Sequence, residues 1–201
     1  MGTTRGVLFD LDGVLVNSFE AWWQLLNATA RHLGYPPIER EQFQAVYGQP
    51  TEEDVRAFFP GQSVERVEGY YSAHFAEYSR YVQPMATAAE VVSALRQRGF
   101  RTAVITNTPS GLAREILSRA GITPDAVVGG DDVAKAKPAP DMVVLACHQL
   151  GIAPSEAVVV GDSRYDEQAA AAAGAPFVGL GLTAPQSVDS LAGLLDLLSL
   201  Y

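Results

Sequence analysis

Five short apolar segments separated by helical stretches constrain the fold of this 201-residue chain more than any other feature. Each segment is rich in Val, Ile or Leu and is continuous rather than alternating, which is typical of strands buried on both faces of a parallel sheet. The segments lie at 6–11, 101–106, 126–129, 156–161 and 176–180. Helical patterns at 87–98, 110–120, 140–150 and 164–173 separate most of them. Because strands and helices alternate, the sequence predicts an α/β fold with a parallel sheet and helices on both faces.

One region interrupts this alternation. Between the first apolar segment and the helix at 87–98 there is no strand pattern, and helices are predicted at 18–33, 39–47, 51–59 and 64–82. Ser18 is a candidate N-cap of the first of these helices, and Gly34 a candidate terminator. The sequence therefore predicts an all-helical cap domain, residues 17–83, inserted into a core domain formed by residues 1–16 and 84–201.

The overall charge limits the classes of partner. The net charge is -9, and a negative field of this size repels nucleic acid and anionic lipid. We therefore expect no nucleic-acid partner. No charged-then-apolar leader opens the chain and no apolar stretch reaches membrane-spanning length, so the sequence predicts a cytoplasmic protein without a membrane partner. Its oligomeric state is left open.

Polar side chains recur where the predicted strands end or the helices begin. Ligands of open α/β sheets bind outside the carboxyl ends of the strands, so these side chains are expected to meet at one edge. They are Asp10 and Asp12 after the first strand, Thr106 and Asn107 after the second, Lys137 ahead of a helix, and Asp162 with Asp166 after the fourth strand. Each alone has an ordinary structural explanation, such as a turn, a cap or a solvated charge. Their joint occurrence at strand ends and helix starts favours a catalytic site.

The charges of this set indicate a metal. Four carboxylates (Asp10, Asp12, Asp162 and Asp166) face a single lysine, so the site would repel a phosphate group. Mg²⁺ binds carboxylate oxygens and would offset the excess negative charge. The sequence therefore predicts Mg²⁺ as the cofactor and a small phosphorylated metabolite as the substrate.

Four motifs resemble, in order, the signature motifs of the haloacid dehalogenase (HAD) superfamily. They are Asp10-Leu-Asp-Gly-Val-Leu-Val, Ile105-Thr-Asn, Lys137-Pro-Ala-Pro and Gly161-Asp-Ser-Arg-Tyr-Asp. Their spacing is similar to that of the subgroup with a helical cap after the first motif, which includes phosphoglycolate phosphatases and β-phosphoglucomutases. The resemblance covers essentially the whole chain and implies a Rossmann-like, HAD-like core.

The resemblance also implies roles for the individual residues. Asp10 is expected to be the nucleophile that forms an aspartyl-phosphate, and Asp12 the general acid and base. Thr106 and the backbone of Asn107 are expected to bind the transferring phosphoryl group, and Lys137 to stabilise its charge. Mg²⁺ ligands are expected from Asp10, the carbonyl group of Asp12, and Asp162, with Asp166 supporting the metal directly or through water.

Two further features bear on the reaction. An acid at position 12 favours phosphoryl transfer over dehalogenation or phosphonate cleavage, whose enzymes in this superfamily lack it. Ala45, Val46 and Tyr47 stand just before the loop Gly48-Gln49-Pro50, where many relatives have Arg. This departure argues against a strongly anionic leaving group such as glycolate. The predicted function is a Mg²⁺-dependent phosphatase for a small monoester, and the alternatives are a phosphomutase of the β-phosphoglucomutase type and a catalytically idle binding protein.

Overall fold

A six-stranded parallel sheet forms the centre of the computed structural model, which describes residues 5–198. The strand order is β5-β4-β1-β6-β7-β8, and every neighbouring pair is parallel. The strands of this sheet are β1 (Gly6–Phe9), β4 (Arg101–Ile105), β5 (Ala126–Val128), β6 (Ala157–Gly161), β7 (Phe177–Leu180) and β8 (Ser187–Val188). β1 lies between β4 and β6, so its carboxyl end is flanked by the ends of both.

Successive residues of β1 serve two separate cores because side chains alternate across a strand. Val7 and Phe9 pack in one cluster with helices α5 (Ala88–Gln97), α6 (Ser110–Arg119) and α9 (Leu191–Leu198). Leu8 packs in the other cluster with α7 (Asp141–Leu150) and α8 (Arg164–Ala173). Both faces of the sheet are therefore covered, which explains the continuous apolar character of its strands.

The helical insertion leaves and rejoins the core through a short pair of antiparallel strands. β2 (Val16–Asn17) pairs with β3 (Gln83–Pro84), which brings the two ends of the insertion together. Between them lie the four cap helices, namely α1 (Phe19–Leu33), α2 (Arg40–Gln44), α3 (Thr51–Phe58) and α4 (Val64–Tyr78). The apolar faces of α1 and α4 meet in the aromatic cluster of Trp22, Tyr71 and Phe75.

The predicted α/β fold with an inserted helical cap is confirmed, and each predicted strand and helix is present with small shifts at its ends. The second cap helix is shorter than predicted: α2 ends at Gln44, and a turn leads to Gly48, whose φ of 88° is left-handed. The short strands β2, β3 and β8 were not predicted. Ser18 occupies the predicted N-cap position of α1, but its hydroxyl makes no capping bond and donates instead to Asp12. Gly34 ends this helix with a φ of 78°, as predicted.

Two other predictions concern the domain boundaries and membrane-spanning segments. The domain boundaries at 17 and 83 stay a prediction, and the outermost core residues, 1–4 and 199–201, lie outside the described residues. Among residues 5–198, no helix combines the length and the apolar character that crossing a bilayer requires.

Candidate active site

Three carboxyl groups converge at the carboxyl edge of the sheet. Asp10 follows β1, Asp162 follows β6, and Asp166 lies in the first turn of α8. One oxygen from each of the three lies within 4.8 Å of the others. The carboxyl groups of Asp10 and Asp162 are therefore close enough to share one metal ion, as the magnesium site predicted from the sequence requires.

Lys137 lies inside this acidic cluster. Its Nζ atom donates hydrogen bonds to Oδ1 of Asp10 at 2.8 Å, to Oδ1 of Asp166 at 2.6 Å and to the carbonyl oxygen of Ile105 at 3.1 Å. The side chain is 2% exposed, so the ammonium group is held by protein atoms rather than by solvent. Charge-assisted bonds of this kind fix the position of both carboxylates.

A capping box fixes Asp166. Ser163 is the N-cap of α8, and its Oγ accepts a bond from the Asp166 backbone N–H at 3.4 Å. In return, Oδ2 of Asp166 accepts from the Ser163 backbone N–H at 3.2 Å and from its hydroxyl at 2.5 Å. Oδ1 of the same carboxyl group remains for Lys137. Asp166 therefore caps α8 and also contacts Lys137 within the acidic cluster, while its role in metal binding stays a prediction.

Two glycines leave room for the acids. Gly13 has a φ of 88°, and a Cβ atom there would lie 1.9 Å from Oδ2 of Asp162. A Cβ atom on Gly161 would lie 2.3 Å from Cβ of Asp166. Both close approaches require glycine, so Gly13 and Gly161 are part of what allows the carboxyl groups to meet.

The electrostatics of the cluster reflect its excess of negative charge. Burial and the neighbouring Asp166 raise the pKa of Asp10 well above 3.8, although Lys137 opposes this. Burial and Asp166 likewise raise the pKa of Asp162 to about 7. Burial alone would lower the pKa of Lys137, but Asp10 and Asp166 raise it, so the lysine stays charged. One ammonium group does not compensate the cluster, and this donor set of carboxylate oxygens fits a hard divalent cation such as Mg²⁺.

Asp12 lies beside this cluster, and its side chain is not part of it. Its Oδ1 accepts from the hydroxyl of Ser18 and from the indole N–H of Trp22, the latter at 3.1 Å. Its Oδ2 accepts from Thr108 at 2.7 Å and from Thr106 at 3.3 Å. The carboxyl group is therefore held by the insertion on one side and by the loop after β4 on the other. The expected metal contact of Asp12 involves its carbonyl oxygen and stays a prediction.

Asn107 joins three segments of the chain. Its Oδ1 accepts from the backbone N–H of Lys137 at 2.9 Å, and its Nδ2 donates to the carbonyl oxygen of Lys137 at 3.2 Å. The same Nδ2 donates to the carbonyl oxygen of Gly48, in the loop between α2 and α3, at 2.9 Å. The side chain thus positions Lys137 and holds the cap loop, while the expected phosphate contact of Asn107 is assigned to its backbone.

A cavity lies between the sheet edge and the insertion. Its space free of protein atoms, counted together with the open solvent at its mouth, is about 520 Å³. Asp10, Asp12, Thr106 and Asn107 line its floor, and the cap side includes Trp22, Tyr47, Gln49, Asp54 and Tyr71. Of the predicted site residues, Lys137, Asp162 and Asp166 lie behind this floor rather than on the cavity wall.

Several residues of the site were not predicted from the sequence. Ser18, Trp22 and Thr108 contact Asp12, and Tyr47 is hydrogen-bonded to Ser18 at 2.7 Å between the two oxygens. Asp54 is a buried carboxyl group on the cap side of the cavity. Among these residues, only Tyr47 had a sequence feature that pointed to the site, namely its position directly before the Gly48 loop. Trp22 and Asp54 are indistinguishable by pattern from ordinary helix residues.

The parallel sheet, the lysine and carboxylates at its carboxyl edge and the helical insertion define the chain as a capped α/β hydrolase. The chain belongs to the haloacid dehalogenase-like hydrolase family, whose sequence pattern it matches over residues 7–180. It is a phosphoric monoester hydrolase of the HAD type.

Three relatives illustrate this membership. The chain is 32% identical over 205 residues to phosphoglycolate phosphatase of Shigella boydii serotype 4, covering 88% of this chain and 81% of the relative. It is 33% identical over 178 residues to phosphoglycolate phosphatase of Xylella fastidiosa strain Temecula1, covering 86% and 78% respectively. A crystal structure of Rhodobacter sphaeroides CbbY with xylulose-(1,5)bisphosphate superposes with a TM-score of 0.81 at 25% identity, covering 96% of each chain.

Proposed function

We propose that this chain is a Mg²⁺-dependent phosphatase that hydrolyses a small phosphate monoester through an aspartyl-phosphate on Asp10. The observation that carries the proposal is the placement of Asp10 between Lys137, at 2.8 Å, and the carboxyl groups of Asp162 and Asp166. A carboxylate at the floor of a cavity, next to a buried ammonium group, is suited to attack a phosphorus atom.

The donor set supports a metal site made by Asp10, Asp162, Asp166 and the carbonyl oxygen of Asp12. When bound there, Mg²⁺ would neutralise the excess negative charge and polarise a phosphoryl oxygen. Lys137 would have a similar effect, because its positive charge offsets the negative charge of Asp10 and of the incoming phosphoryl group.

The chemical steps follow from two carboxyl groups. A carboxylate oxygen of Asp10 forms a bond to phosphorus while the bond between phosphorus and the leaving oxygen breaks. Asp12 donates a proton to that oxygen, which leaves as an alcohol. A water molecule then attacks the phosphorus of the aspartyl-phosphate, Asp12 takes its proton, and the phosphorus–Asp10 bond breaks to give inorganic phosphate. Both acids end in their starting states.

Two elements would hold the phosphoryl group during these steps. Thr106 and the backbone of Asn107 follow β4 at the floor of the cavity, shortly before α6 begins at Ser110. A hydroxyl group and backbone N–H groups at the start of a helix favour an anion. We assign them to the non-bridging phosphoryl oxygens.

Residues 17–83 would act as the cap of this enzyme. The paired strands β2 and β3 form a narrow connection to the core, and residues on the cap side complete the wall of the cavity. Exclusion of water by such a cap protects the first transfer step from side reactions. The cytoplasmic location expected from the sequence stays a prediction.

A phosphate-release screen tests the proposal. Wild-type chain, with and without Mg²⁺, is offered a panel of sugar, carboxylate and alcohol phosphates, alongside Asp10→Asn. We expect Mg²⁺-dependent release by the wild type only, and a phosphoryl group on the peptide containing Asp10 after acid quench and mass spectrometry. An isomerised sugar phosphate without free phosphate would identify the phosphomutase alternative. A chain that neither binds Mg²⁺ nor turns over any ester would be the idle binding protein.

A further inference from the structure

The cap side of the cavity differs in chemical character from its floor. Its wall is aromatic and aliphatic, with Trp22, Phe43, Tyr47 and Tyr71 among the lining residues, and its polar side chains include Gln49, Thr51 and Asp54. Within residues 5–198, no lysine or arginine lines this cavity. A negatively charged leaving group would therefore enter an apolar wall without a cation to compensate it.

The start of α3 does not replace the missing cation. Thr51 opens this helix and lines the cavity, and a helix N-terminus alone would favour an anion. However, the first turn carries three acids, Glu52, Glu53 and Asp54. Their charges oppose the positive end of the helix dipole. The end of α3 that faces the cavity is therefore not a site for a carboxylate or a second phosphate.

Asp54 is the carboxyl group that the cap presents to the cavity. Its carboxyl group accepts from Nε2 of Gln49 at 2.8 Å and from the hydroxyl of Tyr71 at 3.1 Å. Both donors are neutral, and burial raises the pKa of Asp54 to about 7. A carboxylate has about four lone-pair directions, so two remain for a further donor. A ligand hydroxyl or ammonium group there would complete its hydrogen bonding.

Tyr71, which contacts this carboxyl group through its hydroxyl, packs against a second aromatic ring. The rings of Trp22 and Tyr71 lie 5.6 Å apart between centroids, and both residues line the cavity. Aromatic faces attract cations and accept apolar groups, whereas they offer nothing to an anion. The aromatic wall and Asp54 therefore both favour a neutral or cationic ligand group over an anionic one.

We infer that the leaving group of the substrate is an alcohol without negative charge that carries a hydroxyl or amino group, and that Asp54 receives this group. The inference rests on the proposed phosphatase function, and it names the substrate class of the same site. It separates this chain from its relatives named phosphoglycolate phosphatase, whose named substrate has an anionic leaving group.

Four esters that share one phosphoryl group and one methylene linkage test the inference. They are 2-hydroxyethyl phosphate, 2-aminoethyl phosphate, ethyl phosphate and phosphoglycolate, each assayed with Mg²⁺ for phosphate release. We expect kcat/KM for the hydroxyethyl or the aminoethyl ester to exceed that for phosphoglycolate by about tenfold or more, which corresponds to about 1.4 kcal/mol. Ethyl phosphate should fall below the better of these two, because it lacks the donor.

Asp54→Asn identifies the selecting residue. The variant keeps the shape of the side chain and removes its charge, so the preference over phosphoglycolate should shrink, chiefly through KM. Glu41→Gln is the matched control, because Glu41 is an exposed cap acid that does not line the cavity. It should keep the wild-type preference. The ester comparison uses the wild-type chain, so the inference is tested even if Asp54→Asn does not fold.

Different outcomes would contradict the leaving-group inference and the proposed phosphatase function. If phosphoglycolate is the best of the four, or if Asp54→Asn leaves the preference unchanged, the inference is wrong while the phosphatase function stands. If no ester in this set or in the broad panel releases phosphate with Mg²⁺, the proposed function itself fails.

Discussion

The Nζ atom of Lys137 lies 2.8 Å from Oδ1 of Asp10, although 127 residues separate the two in the sequence. The contact forms because the central strand β1 and the loop ahead of α7 meet at one edge of the sheet. It joins the proposed nucleophile to the cation that compensates it.

Lys137→Met should destabilise the chain by about 3–5 kcal/mol in the absence of divalent ions, because it leaves Asp10 and Asp166 without their buried cation. Turnover should fall by roughly 10²–10³. Urea unfolding and phosphate release measure the two effects. Lys135→Met is the matched control, since Lys135 is exposed and should change stability by less than about 0.5 kcal/mol. Equal effects of the two substitutions would contradict the assignment.

Gly13→Ala should lower kcat/KM by about a hundredfold, because the new Cβ would displace Asp162, and a misplacement of about 1 Å can have this effect. Gly69→Ala, in the middle of α4 with no atom within 4 Å of a new Cβ, is the control. It should keep full activity and gain about 0.5–1 kcal/mol of stability from its better helix propensity. Wild-type kinetics for Gly13→Ala would show that the close approach to Asp162 is not required.

Mg²⁺ should stabilise the folded chain, by about 2.7 kcal/mol at a free concentration one hundred times its Kd. Asp162→Asn should abolish this gain. Above the pKa of about 7, the same variant should be at least as stable as the wild type without metal, because it removes a buried charge. Thermal unfolding with Mg²⁺ and with a chelator measures both effects. An undiminished Mg²⁺ gain in Asp162→Asn would exclude this residue as a ligand.

Asp54 should make stability depend on pH. Its pKa is raised from 3.8 to about 7, chiefly by burial, so the folded state holds a proton that the unfolded state loses at lower pH. The stabilisation is complete below about pH 4 and is lost as the pH rises towards 7, by up to about 4 kcal/mol. Asp54→Asn should reduce the slope of stability against pH without removing it, because Asp10 and Asp162 also have raised pKa values. Glu41→Gln should keep the full wild-type slope in urea unfolding across the same range. Parallel profiles for Asp54→Asn and the wild type would contradict the burial of an ionisable group here.

The sequence predicted the elements and the acids more completely than the contacts between them. Asp10, Asp162 and Lys137 follow strands or precede a helix, and parallel strands bring such positions together by topology alone. The two-residue strands β2 and β3 are too short to have a periodicity. Ser18 stands at the N-cap position that its residue type predicts, but its hydroxyl binds Asp12, and residue order alone does not reveal this contact.

The role of Asp54 at the cavity wall also could not be predicted from the sequence. In the sequence it is one of three acids in the first turn of α3, and it is equivalent by pattern to Glu52 and Glu53. Only the packing of α3 against α4, which places Tyr71 over its carboxyl group, distinguishes it. Specificity of this kind is set by tertiary contacts, so the leaving group could not be predicted from residue order.

The side-chain amide of Asn107 connects the cap loop at Gly48 to the segment that carries Lys137. One nitrogen serves both the carbonyl oxygen of Gly48 and that of Lys137. Loss of the bond to Gly48 would leave the amide held by the backbone of Lys137 alone, through Nδ2 and Oδ1. The Gly48 loop, which lines the cavity, is therefore tied through one side chain to the segment that carries Lys137, so a displacement of this loop would act directly on the lysine backbone.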